Sequence, residues 1–178
     1  MVALLVGATT AACGSRTGDP AAERATDGRL AMVSGRDDHG FLAQHTVSVY
    51  DGPSSAHVVA EIPDGTLVQV TEADHTWQHV VTVEGQHVEG WLDDFYLRGQ
   101  LRLVGAAPTC ASRIGTDQVQ GGTLVTVWRV DGSRVLVEQV AGAHERGWAD
   151  RGQLQELPPQ GTTCGEDPPG SPHHHHGP

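Results

Sequence analysis

Six of the eight aromatic side chains of this 178-residue chain lie within residues 41–96, and acidic side chains accompany them. Tyr50 and Trp77 are the main candidates for contacting a ligand, because aromatic side chains offer a large contact area at a low entropic cost. A groove built on them would be acidic and suited to a peptide that carries an amine. The carboxylates concerned are Asp51, Asp93 and Asp94. Other large aromatics are interpreted as core residues, namely Trp91, Tyr96 and Trp148.

Nucleophilic catalysis lacks its usual sequence signatures. No Gly-x-Ser-x-Gly turn is present, and His144-Glu145 is not followed by the second histidine that a zinc-protease helix requires. Cys110 or Cys164 could act as a nucleophile only if it were unpaired and a histidine lay nearby in space. We therefore predict that the chain is not an enzyme.

Metal-ligating residue types are frequent, but their spacing is unfavourable. His75 and His79 stand four apart, yet they fall across a turn and a strand rather than on one helix face. Residues 37–39, Asp-Asp-His, are adjacent in a glycine-flanked turn, which favours solvated side chains. The terminal histidines, residues 173–176, can bind Ni²⁺ or Zn²⁺ as any such tract can. We predict no physiological metal and no cofactor, with a metal carrier using His39 and this tract as an alternative.

The N-terminus carries a targeting signature. Residues 1–12 are apolar or small and too few to span a bilayer, but they match the apolar core of a secretion signal. Small residues followed by Cys13 resemble a bacterial lipoprotein signal, in which Cys13 is lipidated. We expect a signal over residues 1–13 and an extracytoplasmic protein anchored to the membrane through Cys13. An ordinary secretion signal is the alternative.

The charge balance argues against a nucleic-acid partner. The formal net charge is −11, and the 11 basic residues are all arginines scattered among 22 acids. Nucleic-acid binders normally show a clustered basic face. Lysine and asparagine are absent, which indicates a GC-rich genome such as that of an actinomycete.

One stretch of sequence occurs twice. Gly65-Thr66-Leu67-Val68 leads to Gly90-Trp91, and Gly122-Thr123-Leu124-Val125 leads to Gly147-Trp148, with both landmarks 57 residues apart. A period of this size indicates duplication of one small unit. Short β-branched runs broken by Pro and Gly turns predict an all-β fold without helices.

The expected organisation follows from this repeat. The first unit spans residues 29–100 and the second 101–158. Leu30 to Val33 and Phe41-Leu42 are expected to form an added hairpin on the first unit. Residues 14–28 and 159–178 are rich in small and polar residues, and we expect a disordered tether and a disordered tail there.

The order Val49-Tyr50-Asp51-Gly52-Pro53, then Gly-Thr-Leu-Val, Trp77 and Gly-Trp, resembles the bacterial Src-homology-3-like (SH3-like) domain. The resemblance implies two tandem small β-barrels. Members of this family usually act as non-catalytic binding modules of extracytoplasmic proteins, and many bind cell-wall peptides. Tyr50 would lie on the opening loop where family members build a ligand groove. A cell-wall peptide or an envelope protein is therefore the expected partner, and a purely structural or assembly role is the alternative.

The resemblance also bears on the cysteines. The two ends of such a barrel lie close together, and Cys110 and Cys164 flank the second unit. Lipidation of Cys13 would leave these two as a pair. A Cys110–Cys164 disulfide is therefore expected, with two free thiols as the alternative, and the bond would agree with an oxidising compartment.

Recognition is expected where the two copies differ. What they share is strand, turn and core pattern, so the repeated stretch specifies the fold. The copies differ in the opening loop, residues 50–54, and at Trp77, whose counterpart in the second copy is Arg134.

Overall fold

A computed structural model describes residues 30–37, 41–106, 109–156 and Cys164. Within these residues the fold is almost entirely β, which confirms the all-β prediction. The strands are β1 (Leu30–Val33), β2 (Thr46–Tyr50), β3 (Val58–Pro63), β4 (Leu67–Asp74), β5 (Trp77–Thr82), β6 (Glu89–Asp93), β7 (Leu97–Arg98), β8 (Leu101–Leu103), β9 (Ala111–Ile114), β10 (Asp117–Gln120), β11 (Thr123–Asp131), β12 (Arg134–Gln139), β13 (Arg146–Asp150) and β14 (Leu154–Gln155). Two 3₁₀ turns cover Asp94–Tyr96 and Arg151–Gln153.

Several predicted features fall outside the described residues. They are the signal and lipidation site at Cys13, the tether over 14–28, and the tail over 159–178 apart from Cys164. The same holds for Asp38 and His39 of the proposed solvated turn. No helix in the described ranges is long and apolar enough to cross a membrane.

The sequence repeat is a structural repeat. β4, β5, β6, a 3₁₀ turn and β7 recur as β11, β12, β13, a 3₁₀ turn and β14. Gly65 and Gly122 lie in the turns before β4 and β11 with φ of 84° and 89°, a left-handed conformation that a side chain opposes. A register shift also recurs, between Val70 and Glu72 in one copy and between Val127 and Arg129 in the other.

Each copy has its own core because its strands alternate between apolar and polar residues. The first core is made by Ala31, Val33, Val47, Val49, Ile62, Val68, Val80 and Leu92. The second is made by Leu30, Met32, Leu67, Leu101, Leu103, Ile114, Val125, Val127, Val135, Val137, Ala149 and Leu154.

Strand β1 joins the two copies. It pairs with β4 and β7 of the first copy and with β11 of the second, all antiparallel. Its four residues are all buried, and successive side chains enter different cores because they point to opposite faces of the strand. One sheet therefore runs through both copies, in the order β13-β12-β11-β1-β4-β5-β6-β2-β3.

The expected hairpin between β1 and Phe41-Leu42 is reduced to an isolated bridge between Arg36 and Leu42. The apolar run Leu-Ala-Met-Val has no polar alternation, as is typical of a strand covered on both faces. This run was expected to belong to the first unit alone, but its pairing with β4, β7 and β11 shows that both copies share it.

Charged side chains connect the copies at two places. Arg151 donates to both carboxylate oxygens of Glu84, at 2.6 and 2.9 Å, and to the carbonyl of Gly65 at 2.7 Å. Glu156 is buried and accepts from Arg36 and from the Ser34 hydroxyl, each at 2.5 Å. Both networks join residues of the first half of the chain to the 3₁₀ turn and strand that close the second half.

Burial by itself raises the pKa of Glu84. The hydrogen bonds from Arg151 and from the Leu67 amide, together with the charge of Arg151, outweigh it and hold the pKa below its usual value. The carboxylate is therefore ionised at neutral pH and contributes to the junction.

Cys110 and Cys164 lie at disulfide-bonding distance, as predicted, with Cα atoms 4.9 Å apart and a sequence separation of 54. Closing a loop of this size stabilises the fold by about 4 kcal/mol in the chain-entropy model. Gly105 passes against Cys110 so closely that a Cβ there would lie 2.3 Å from the Cys110 backbone. The bond fixes the loop that opens the second copy.

Candidate functional site

The structure brings the predicted ligand-binding residues together at one end of the first copy. Trp77, the first residue of β5, stands opposite Asp93 on β6. The Tyr50 ring, at the end of β2, meets the Trp77 ring edge-on at 5.5 Å between centroids. Asp94 is held next to Trp77 because its amide donates to the Thr76 carbonyl at 2.6 Å. Asp51 follows Tyr50 directly and is exposed.

Trp91 belongs to the same surface, and its interpretation as a core residue is wrong. Gly90 and Leu92 are the buried residues of β6, so Trp91 points to the opposite face and is half-buried. It stands opposite both Tyr50 and His79, and its ring lies 5.2 Å from that of His79. The alternation in Gly-Trp-Leu-Asp was the available signal, since a strand that buries Leu92 in the core cannot also bury Trp91 there.

The other two aromatics assigned to the core differ from each other. Tyr96 is half-buried and packs against the first core, in agreement with that interpretation. Trp148 is half-buried on the outer face of β13, at the position equivalent to Trp91. Its neighbours are arginine side chains rather than core residues.

We call Tyr50, Trp77, His79 and Trp91 the aromatic surface. Gly90 makes it possible, because a Cβ at this position would lie 2.7 Å from the Tyr50 carbonyl oxygen and 2.6 Å from Val49. Strands β2 and β6 can therefore approach closely enough to set Tyr50 beside Trp91. His79 is held by a 2.7 Å hydrogen bond between its Nδ1 and the Thr71 hydroxyl.

The carboxylates around the aromatic surface have different local roles. Asp93 accepts from the Phe95 amide at 2.9 Å and so caps the first 3₁₀ turn, a role that Asp150 repeats in the second copy. Asp94 is exposed beside it. Asp51 lies within its own loop, where a hydrogen bond from Ser55 first, and then the charge of His57, lower its pKa despite some desolvation. Asp93 and Asp94 thus place two carboxylate side chains next to Trp77.

This arrangement is suited to binding a cation. Aromatic ring faces attract ammonium and guanidinium groups, and nearby carboxylates add Coulombic attraction. Within the described residues no group of three histidine, cysteine, aspartate or glutamate side chains is placed to hold a metal ion. The aromatic surface is open, and the clefts of about 650, 430 and 400 Å³ are lined by other residues.

Comparison with known proteins identifies no family for this chain. No protein-family model matches the chain, and no curated protein matches it significantly. Among solved structures, it is similar to NlpC2 from Trichomonas vaginalis, with a TM-score of 0.35 and 11% identity over 72% of this chain and 48% of that one. It is similar to NlpC1 from the same organism with a TM-score of 0.34 and 12% identity over 72% of this chain and 46% of that one. The chain thus spans less than half of either structure, and TM-scores of this size do not establish a shared fold.

Proposed function

We propose that this chain is a non-catalytic binding protein of the bacterial cell envelope, built from two SH3-like copies of one unit. The first copy binds an amine-bearing peptide, from the cell wall or from an envelope protein, on the aromatic surface. The observation that carries this proposal is the convergence of Tyr50, Trp77 and Trp91 beside Asp93 and Asp94. Aromatic side chains anchor ligands with little entropy loss, and the carboxylates select for a positive group.

Localisation is part of the same proposal. Lipidation of Cys13 would anchor the chain to the outer side of the cell membrane, and the Cys110–Cys164 pair agrees with an oxidising compartment. Labelling with radioactive palmitate in the producing bacterium tests this. The label should be present on the wild-type chain and absent from Cys13→Ala, and label on neither would exclude the anchor.

The binding claim is tested by sedimentation of the purified chain with cell-wall material. The double variant Tyr50→Ala, Trp77→Ala should lose most of the bound fraction, because truncating two central aromatic contacts costs at least about 2 kcal/mol. Phe41→Ala is the matched control, since Phe41 is an aromatic that is 72% exposed outside the aromatic surface. Equal binding by the double variant and the control would exclude the aromatic surface as the binding site.

A structural or assembly role is the second candidate, and one observation favours it. Strand β3 ends the sheet order, and its Val58 and Val59 are 45% and 46% exposed. Edge strands with exposed apolar residues are able to pair with a strand of another protein. Val59→Lys should abolish such pairing in a co-purification experiment and leave wall binding unchanged.

A further inference from the structure

The second copy carries the same outer face as the first, but with arginines at three of its positions. Counterparts lie 57 residues apart: Glu72 becomes Arg129, Trp77 becomes Arg134, Glu89 becomes Arg146, and Trp91 is retained as Trp148. The strand pairings around these positions also correspond, since Trp148 stands opposite Leu136 as Trp91 stands opposite His79. The outer face of the second copy therefore has two fewer carboxylates and three more guanidinium groups at these positions, while Asp93 is retained as Asp150.

The arginines of this face lie over tryptophan rings. The guanidinium carbons of Arg129 and Arg134 lie over the Trp148 ring, 5.5 and 5.4 Å from its centroid. Arg146 lies over the Trp128 ring at 5.1 Å. A stacked guanidinium keeps its N–H groups in its own plane, where they can still donate to a carboxylate in a two-pronged fashion. We call Arg129, Arg134, Arg146 and Trp148 the arginine surface.

Two of these charges are not neutralised within the part of the chain that the structure describes. Arg129 and Arg134 form no ion pair with any described carboxylate, and the same is true of the nearby Arg113. Arg36 and Arg151, by contrast, are paired with Glu156 and Glu84. In a chain with a net charge of −11, these arginines are a local cluster of positive charge, with Asp131 and Asp150 standing opposite Arg134 in the strand pairing.

A cleft of about 650 Å³ opens beside the arginine surface, a volume in the usual range for small-ligand sites. Arg113, Arg134 and Trp148 line it together with small apolar side chains, namely Ala106, Ala111 and Ala149. Asp150 also lines it, but its Oδ1 already accepts from the Gly152 amide at 2.9 Å. The disulfide holds one wall in place, because Cys110 lies between the lining residues Thr109 and Ala111.

We propose that this cleft binds the terminal carboxylate of a peptide, with Arg134 and Arg113 donating to the carboxylate and Trp148 packing against the last residue. Guanidinium forks match carboxylate geometry, and the alanine walls leave room for a small terminal side chain. A long polyanion is disfavoured because the rest of the molecule would repel it. This site lies in the second copy and does not depend on the aromatic surface of the first.

The test is a titration of the full chain with acetyl-tri-alanine in two forms, one with a free carboxylate and one ending in an amide. The four tryptophans give four indole N–H signals, which report on each surface separately once assigned. The free acid should shift the Trp148 signal and bind at least about tenfold more tightly than the amide, as expected when a charged hydrogen bond is lost.

Arg134→Gln and Arg113→Gln should each remove most of this preference for the free acid. Arg146→Gln is the control, because it removes the same charge from the same sheet but stacks on Trp128 and does not line the cleft. Thermal unfolding of each variant shows whether the fold is retained. Arg134→Lys keeps the charge without the fork and should bind with intermediate affinity.

Equal binding of the acid and the amide would overturn the proposal, as would unchanged binding by folded Arg134→Gln and Arg113→Gln. Failure of both peptides, together with a salt-sensitive self-association that Arg134→Gln abolishes, would also overturn it, because the occupant would then be the acidic face of a second copy. The double variant Tyr50→Ala, Trp77→Ala should bind the free acid normally. Failure of the carboxylate site can therefore be distinguished from failure of wall binding by the aromatic surface.

Discussion

Trp77 and Arg134 occupy equivalent positions in the two copies, and the proposed difference in what the two copies bind rests on this pair. Trp77 contacts Tyr50 on the aromatic surface, whereas Arg134 lies over Trp148 on the arginine surface. Both positions begin the strand that follows a two-residue turn, residues 75–76 in the first copy and 132–133 in the second. The backbone is therefore held constant while the side chain changes from a neutral ring to a cation.

Trp91 illustrates a limit of sequence reasoning at this scale. Its repetition as Trp148 indicated a structural role, and both were therefore assigned to the core. In the structure both lie on the outer face, where each packs against long side chains rather than inside a core. Repetition identifies a position that the unit retains, but only strand alternation tells which face the position occupies.

Glu84 gives a residue-scale prediction about pH. Its folded-state pKa is lowered, so its stabilising contribution is complete above the pKa of the unfolded glutamate, near 4.5, and is lost as the pH falls through the folded value. Glu84→Gln should reduce the free energy of unfolding by about 1–2 kcal/mol at pH 7, through loss of charged hydrogen bonds from Arg151. The difference from wild type should shrink on acidification.

Urea unfolding at pH 7 and at pH 3.5 measures this difference. Glu72→Gln serves as the control, because Glu72 is an exposed carboxylate on the outer face and forms no ion pair within the described residues. A difference between Glu84→Gln and wild type that is the same at both pH values would show that the Arg151 pair does not stabilise the junction.

At the scale of elements, β1 connects the two copies although it has only four residues. Four residues contribute to both cores and pair with strands of both copies. Leu67 adds to this coupling, since it lies in the first copy but packs in the second core. The two copies should therefore unfold together.

Met32→Ala tests this coupling. The change removes a buried side chain from the second core and should cost about 2–5 kcal/mol of stability. If the copies are coupled through β1, the indole signals of Trp77 and Trp91 should disappear at the same urea concentration as those of Trp128 and Trp148. Met32→Leu, which nearly preserves volume, should cost less than about 1.5 kcal/mol.

Separate transitions would contradict the coupling. In particular, loss of the Trp128 and Trp148 signals at lower urea, with the first-copy signals intact, would show that β1 does not bind the copies into one cooperative unit.

The same element shows why part of the fold could be predicted and part could not. The glycine turns, the alternating strands and the 57-residue repeat follow from local chemistry, so the all-β class and the two corresponding copies were accessible from sequence. The position of β1 could not be predicted, because a short apolar run indicates that both faces of the strand are buried but does not identify the strands that cover them. The pairing is a long-range property, with Leu30 opposite Val127.

For the molecule as a whole, one candidate site could be predicted from the sequence and the other was missed. The convergence of Tyr50, Trp77, Asp93 and Asp94 was predictable because it depends on an opening loop and on adjacent strands. The arginine surface was missed because only Arg134 was compared with its counterpart in the first copy, whereas Arg129 and Arg146 were not. The available signal was the 57-residue offset, which places Arg129 and Arg146 at the positions of Glu72 and Glu89.

We propose that the two copies of one unit bind groups of opposite charge. The aromatic surface binds an ammonium group, and the cleft beside the arginine surface binds a carboxylate. The most direct measurement is a pair of titrations on the full chain, followed by the four assigned indole signals. One peptide, acetyl-Ala-Ala-Lys-amide, carries an ammonium group and no carboxylate, and the other, acetyl-tri-alanine, carries a carboxylate and no ammonium. We predict that the first shifts Trp77 and Trp91 and that the second shifts Trp148. Shifts of the same signals by both peptides would contradict the account.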